Sequence, residues 1–423
     1  MDLLSRFKKD YLNYLLSIIL PAFIAGISVP LFKHLLGSKG YGEFSIYYNA
    51  TLICSAITTG WVTQSIYRFY PSFGNKSLFA KLSVSIANKT QLVIFLPLIF
   101  FVWYYKDDFL LGGLMCLAIF MNSMQFSYIA IIQSSFLSKK TIYSESIRTG
   151  SYIIVAVGCL LIFPEKYLYV LFTANIISYL LSVLYLYKQS QKFLSREKSE
   201  QVDLTRKKLV KQFFHYGAPL SMWVVFSYLL SYVDKVLILN NLGAQAQGNY
   251  QAVFDLLSRG LTVLISPVVI SLYPLLSQAY EKAANAEIKR LMKRIIFFEI
   301  AGLVVSAILY WWFGASLLFI ILKVPNTFAF RSMGFIVLVG TFVWQIAMVV
   351  HQKYVLKLKS RYLLFIIIAA FCIQLIFYWF VRKSSNPLIY PAGYLIAASS
   401  YLFFASISQT SSFLKSLFKT IKA

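Results

Sequence analysis

Twelve apolar stretches, each close to the length of a bilayer crossing, decide what this chain can become. They cover roughly 12–32, 43–66, 83–104, 109–133, 147–163, 167–187, 213–239, 249–273, 295–322, 332–354, 362–381 and 388–411. About 20 apolar residues cross the hydrocarbon core as a helix. In lipid every backbone polar group must be satisfied within the spanning structure, which leaves helices and closed barrels. These runs are continuous rather than alternating over ten-residue segments, so a barrel is excluded. With 59% hydrophobic residues and 13% charged ones, the chain is also too apolar for a water-soluble domain. The expected fold class is an all-α polytopic membrane protein of about 12 transmembrane helices.

A formal net charge of +25 would suggest nucleic acid as the partner of a soluble protein. Here the placement of the bases decides otherwise. Counting bases near the end of a run with the adjoining connection, the N-terminus, the even-numbered connections and the C-terminus take 30 of the 40 Lys and Arg, the odd-numbered connections take 9, and Arg259 is the base left deepest in an apolar run. The positive-inside rule then places both termini in the cytoplasm of a multi-pass inner membrane protein. The excess base is a topology signal with some attraction to anionic membrane lipids, and no nucleic-acid partner is expected. The first helix, after the basic segment "RFKKD", reads as an uncleaved anchor. Cys54, Cys116, Cys159 and Cys372 lie in apolar runs without metal-type spacing and read as buried small hydrophobes, so no metal is expected.

The longest connection, 188–211, is charged and divides the chain into an N-terminal six-helix lobe, 1–187, and a C-terminal one, 212–423. The two halves resemble each other. "LLGSKGYGEFSIYY" (35–48) matches "NLGAQAQGNYQAVF" (241–254), so that Gly37 and Gly42 correspond to Gly243 and Gly248. "RFYPSF" matches "SLYPLL", pairing Pro71 with Pro274. The glycines are expected to turn tight hairpins. Both halves start in the cytoplasm, so the repeat is parallel, with its pseudo-twofold axis along the membrane normal. Parallel six-helix halves are one transporter architecture, in which a central site is exposed alternately to the two faces. Pro21, Pro219 and Pro267 are expected to kink helices 1, 7 and 8.

The segments "LFKHLLGSKGYGEFSIYYNATLI", "SIYRFYPSF" and "SYVDKVLILNNLGAQAQGNYQAVFDLLSR" resemble Wzx-type oligosaccharide flippases. These form the polysaccharide transporter family of the multidrug/oligosaccharidyl-lipid/polysaccharide (MOP) superfamily. The resemblance implies a MATE-like fold, with two pseudosymmetric six-helix lobes around a central cavity. It implies transport of an undecaprenyl-diphosphate-linked oligosaccharide across the bacterial cytoplasmic membrane for O-antigen or capsule biosynthesis, alongside other polysaccharide assembly proteins. It implies no covalent intermediate and no cofactor, with a proton or sodium gradient left open as the driving force. The chain carries no P-loop pattern.

Charges at bilayer depth are costly and mark functional sites by default. Asp255 and Arg259 lie one turn apart on the eighth helix, with Arg259 near the midplane, and Asp234 and Lys235 lie at similar depth on the seventh. Three readings stay open. The four charges fix two helices together, or Arg259 with Lys235 receives a diphosphate or acidic sugar, or Asp234 or Asp255 carries a coupling ion. An offset of 206 maps Asp234, Asp255 and Arg259 onto Ser28, Asn49 and Ile53, so the ionic cluster is expected in the second half only. Arg68 and Arg148 are the first-half bases available to a diphosphate, although both sit near expected cytoplasmic helix ends. Glu299 reads as interfacial, beside Arg294, and His351 as structural or solvated. Gln125, Gln133, Gln345 and Gln374 are expected to make interhelical hydrogen bonds.

Two other classes fit parts of this pattern. A cation-coupled drug or metabolite antiporter of the same superfamily would have the same helix count, but an acidic site suits its substrates better than Arg259. A membrane glycan polymerase or ligase, an enzyme, would need a large external loop, and the odd-numbered connections here are short.

Overall fold

The computed structural model describes residues 3–71, 73, 75–135, 137–191, 202–281, 285–357, 359–382, 384 and 386–407, with the side chains of 3–25, 101, 105, 106, 138, 202–206, 263, 264 and 266–289 outside that description. Every regular element among these residues is helical. The first two apolar stretches share α1 (Leu3–Phe69), which breaks only at Gly37, where φ is 68° and ψ 178°. The seventh and eighth fall on α6 (Val202–Leu242) and α7 (Ala244–Glu281), separated by Gly243 at φ 84°. Side chains with a Cβ are disfavoured at such φ, so the repeat-related glycines make the same break in each half.

The other glycine pair does different work from the hairpin turning expected of it. Gly42 and Gly248 both lie within helices. A Cβ on Gly42 would stand 2.9 Å from the Gly248 Cα, and one on Gly248 would collide with the Ser38 carbonyl. The two equivalents meet backbone to backbone. Small residues are how apolar helices approach closely when lipid offers no hydrophobic drive. Pro71 and Pro274 also part company: α1 stops before Pro71, whereas α7 runs through Pro274 to Glu281.

The remaining helices of the first half are α2 (Lys76–Lys106), α3 (Phe109–Ser134), α4 (Ser138–Ile162) and α5 (Tyr167–Ser190). Asn75 caps α2 by accepting from Leu78 N–H at 2.9 Å, and Asp108 caps α3 by accepting from Leu111 N–H at 2.9 Å. Each cap satisfies an N–H that the helix itself leaves over. In the second half α8 (Asn285–Leu309) passes through a π-helical turn, Tyr310–Gly314, into α9 (Ala315–Leu322). It is followed by α10 (Phe328–Leu356), α11 (Ser360–Val381) and α12 (Ile389–Ile407). Among the described residues eight stretches are long and apolar enough to cross a membrane, including Lys139–Ile162, Lys207–Leu242 and Arg290–Leu322.

The chain forms two compact units, Met1–Tyr232 with Gly243–Ala252, and Val233–Leu242 with Val253–Ala423. In the first, α3 packs on α1, α2 and α5, and α4 on α5. Its apolar core gathers Trp61, Ile66, Phe79, Ile131 and Phe213, with Phe79 edge-on to Phe213. In the second, α12 packs on α10 and α11, and α10 also carries α8. Outward faces are apolar in both units, for example Leu92, Val93 and Leu96 on α2 and Phe297, Phe298 and Trp312 on the α8–α9 rod. Those faces suit lipid, and the fold is that of an all-α polytopic membrane protein.

Candidate functional site

The second unit holds the four charges singled out by the sequence. Asp234 and Lys235 lie within α6 near its end at Leu242, and both are buried, as is Asp255 on α7. Arg259 follows one turn later, about 22 Å from the first residue of α7 at 1.5 Å per residue. The charges of Asp255, Asp234 and Arg259 all act on Lys235, so the structure does bring the group together. The Lys235 ammonium lies 4.6 Å from the centre of the Phe254 ring, whose other neighbour is the edge-on Tyr394 at 5.3 Å. A desolvated cation over an aromatic face gains about 2 kcal/mol, which helps hold this lysine in apolar surroundings.

Within that group the Arg259–Asp255 pair is loose. Its shortest separation is 3.8 Å, and the Arg259 side chain is 41% exposed against 11% for Asp255. Charge-assisted N–H···O bonds normally close to about 2.7–2.9 Å. The guanidinium is therefore presented outward from a carboxylate that stays behind. One turn on, Thr262 accepts from Gln345 Nε2 of α10 at 3.1 Å.

The first unit holds an ion pair that sequence reading missed. Arg148 was expected at a cytoplasmic helix end because its apolar run begins at 147. The helix begins instead at Ser138, putting Arg148 about 15 Å inside α4 and within the span Lys139–Ile162. Glu145, one turn earlier, accepts from Arg148 at 2.8 and 3.1 Å through Oε2. Its Oε1 accepts from Gln125 Nε2 at 2.9 Å, and Gln125 also donates to Ser182 at 2.8 Å. Ser182 and Ser144 share a further bond of 2.6 Å, and the guanidinium lies 5.5 Å from the centre of the Tyr179 ring. A second arginine–carboxylate pair therefore lies within a long apolar helix of the first half, away from the repeat equivalents of Asp234, Asp255 and Arg259. The i,i+3 spacing of "ESIR" is visible in the sequence; the apolar boundary at 147 hid its depth.

The other expected residues are more scattered. Arg68 is exposed in the last turn of α1. Pro219 lies inside α6, while the side chains of Pro21 and Pro267 fall outside the described residues. His351 is buried, its Nδ1 2.7 Å from the Tyr401 hydroxyl. Gln133 accepts from Tyr67 at 2.8 Å, so Gln125, Gln133 and Gln345 all bridge helices. Glu299 is buried.

Two features had no sequence signal beyond composition. Lys33, in the connection between the first two spans, is 4% exposed and donates to Asn249 Oδ1 at 2.8 Å and to Ser38 Oγ. Burial lowers its ammonium to about 8. A groove of about 600 Å³ opens in the first unit, lined by apolar side chains such as Ile57, Trp61, Val93, Phe214 and Met222, with Lys89 among them.

Comparison with solved structures finds this fold repeatedly. An inward-facing multidrug resistance MATE family transporter of the MOP superfamily aligns with TM-score 0.70 at 10% identity, covering 94% of this chain and 99% of that one. The MATE multidrug transporter DinF-BH aligns with TM-score 0.71 at 12% identity, over 96% and 95%. Vibrio cholerae MATE transporter VcmN in its bent form aligns with TM-score 0.67 at 13% identity, over 96% of each. At such identities the likeness establishes the fold alone. No curated protein sequence matches the chain. The model of the family described as "Polysaccharide biosynthesis protein" matches residues 7–280, well over half the length. The chain belongs to the polysaccharide biosynthesis protein family and has the fold of the MATE transporters.

Proposed function

We propose that this protein is a flippase for an undecaprenyl-diphosphate-linked oligosaccharide. It moves the repeat unit from the cytoplasmic to the outer face of the bacterial inner membrane, for O-antigen or capsule assembly. Both termini lie in the cytoplasm, and the six-span halves 1–187 and 212–423, joined by the linker 188–211, alternate access. The observation that carries this reading is the outward-presented guanidinium of Arg259 at bilayer depth, loosely held by Asp255, in a chain of this family.

The chemistry follows from that geometry. A guanidinium offers a planar fork of donors that matches two phosphate oxygens, and it stays charged in apolar surroundings. Asp255 at 3.8 Å balances Arg259 between substrates and yields it to a diphosphate. Lys235 adds positive charge to the same group, with Asp234 keeping the total near neutral when the site is empty. Arg148 serves the first unit differently, since Glu145 and Tyr179 already hold its guanidinium. The exposed Arg68 meets the head group on the cytoplasmic side. The apolar groove near Lys89 accommodates a lipid chain while the sugar crosses. Pro21, Pro219 and Pro267 supply the bends that a rocking helix uses.

Deletion of the gene tests the reading. The expected result is loss of surface polysaccharide with accumulation of lipid-linked repeat units on the cytoplasmic face. A wild-type copy restores export, and Arg259→Ala does not, at equal protein level in the membrane. Unchanged surface polysaccharide in the deletion strain, with no accumulated lipid-linked sugar, overturns the proposal.

A further inference from the structure

Glu299 lies in α8 between Phe298 and Ile300, both exposed on the lipid-facing side, yet its own side chain is 4% exposed. Neither carboxyl oxygen has a hydrogen-bond partner among the described residues. It stands about 14 Å into the span Arg290–Leu322, far from either end of a 33-residue rod. The elements packed on α8 are the π-helical turn and α10. Their titratable and charged groups are Tyr310, Arg331, His351, Lys353 and Tyr354. Tyr310 donates to the Arg331 carbonyl, His351 meets Tyr401, and Lys353 sits in the last turn of α10. On α8 itself Lys293 and Arg294 are exposed. Among the described residues no charged group pairs with the buried Glu299 carboxyl.

An ionised carboxylate left like this costs several kcal/mol, whereas the protonated acid costs far less. Burial therefore favours the neutral acid over the carboxylate. The antiparallel contacts of Tyr310 with Arg331 and of Gly302 with Phe342 place Glu299 level with Gln345 on α10. The first half supports the same reading. In its third span, Gln91 is 0% exposed and neither of its amide atoms has a partner among the described residues. Gln91 lies about 22 Å along α2 and Glu299 about 21 Å along α8, so the third span of each half buries an isosteric side chain at a similar distance along its helix. One is permanently neutral. The other becomes neutral by taking up a proton.

We propose that Glu299 is a proton-carrying site that couples the transport cycle to the proton gradient; the inference rests on reading the chain as a transporter. In one state the carboxylate meets water and takes up one proton. In the state described here the neutral acid is sealed between α8 and α10. The opposite opening returns the proton to water on the other side, so one O–H bond forms and the same bond breaks. A sodium ion would need several oxygen ligands gathered around it, and the carboxyl has no hydrogen-bond partner among the described residues.

The test uses the purified full-length protein in vesicles. A lipophilic carbodiimide reacts with protonated carboxyls in apolar sites, and peptide mass spectrometry locates the adduct. Modification is expected at Glu299, falling as pH rises, unaffected by sodium and absent in Glu299→Gln. A folded protein with no adduct at Glu299 at any pH, or one whose labelling sodium suppresses, overturns the proposal. Transport separates this from the wider reading. Glu299→Gln should fold, since Gln91 is accommodated in the first half, and should bind lipid-linked glycan as the wild type does. Its uptake under an imposed proton gradient should fall at least tenfold, and an undiminished response rejects the coupling role alone. If the wild type moves no lipid-linked glycan, the flippase reading fails while the labelling result stands on its own.

Discussion

The two compact units each carry an arginine–carboxylate pair one helical turn apart, and the two pairs are built for different ends. In the first unit Glu145 holds Arg148 at 2.8 Å, hands its second oxygen to Gln125, and leaves both side chains about a quarter exposed. In the second, Asp255 and Arg259 stand 3.8 Å apart and the arginine is the exposed partner. A network whose members are all engaged fixes helices and resists exchange. In the second pair the longer separation leaves more of the arginine open to an incoming anion, which is the geometry the proposed recognition role uses.

The largest effect should come from breaking the tight pair. Glu145→Ala leaves the Arg148 guanidinium without its carboxylate, at a cost of about 3 kcal/mol. Protein level in the membrane and thermal stability in detergent should both fall. The double variant with Arg148→Ala should recover part of that loss, and full additivity would show that the pair is not coupled. Arg259→Ala should do the opposite. Transport falls on the order of 100-fold, about 2.7 kcal/mol, while melting behaviour stays near wild type. A variant that melts early instead would make the loose pair structural, and the contrast between the units would collapse.

Lys33 sharpens the comparison as a buried cation held by an amide and a hydroxyl. Its folded value near 8 lies below the unfolded 10.5, so the folded state binds fewer protons between those limits. Stability therefore rises with pH across that window by an amount on the order of 2 kcal/mol. The rise should vanish in Lys33→Met, measured as the difference between the two melting profiles from pH 8 to 10.5. The smallest effect is expected from Asp255→Asn. Arg259 keeps a polar neighbour, the substrate no longer competes with a full charge, and transport changes by only about threefold, a fraction of a kcal/mol. A loss as deep as that of Arg259→Ala would assign the essential role to the acid instead.

The sequence made the architecture legible because lipid imposes a coarse and repetitive demand. Continuous apolar runs, alternating basic connections and the paired "LG" motifs suffice to define an all-helical chain with an internal repeat. The Asp255–Arg259 spacing was equally plain, since charges in an apolar run have few explanations. What escaped was set by packing. Apolarity marks where a helix enters lipid, whereas the helix itself starts wherever a turn releases it, so α4 begins nine residues before its apolar run and Arg148 moves inward. Glu299 sits beside Arg294 in sequence, but its burial depends on α10, more than forty residues later. Gly42 and Gly248 looked like turn residues because glycine serves both turns and close contacts, and only their neighbours in space tell the two uses apart.

The π-helical turn at Tyr310–Gly314 bears on how such a chain diverges after its halves are duplicated. One residue inserted into a long helix can be absorbed as a single widened turn instead of shifting everything downstream. The α8–α9 rod contains such a turn, whereas the third span of the first half, α2, has none. Ancestry therefore survives in contacts longer than in counting. A search for kinship between the halves that tolerates a slipped residue beyond Tyr310 should recover similarity that any constant offset discards.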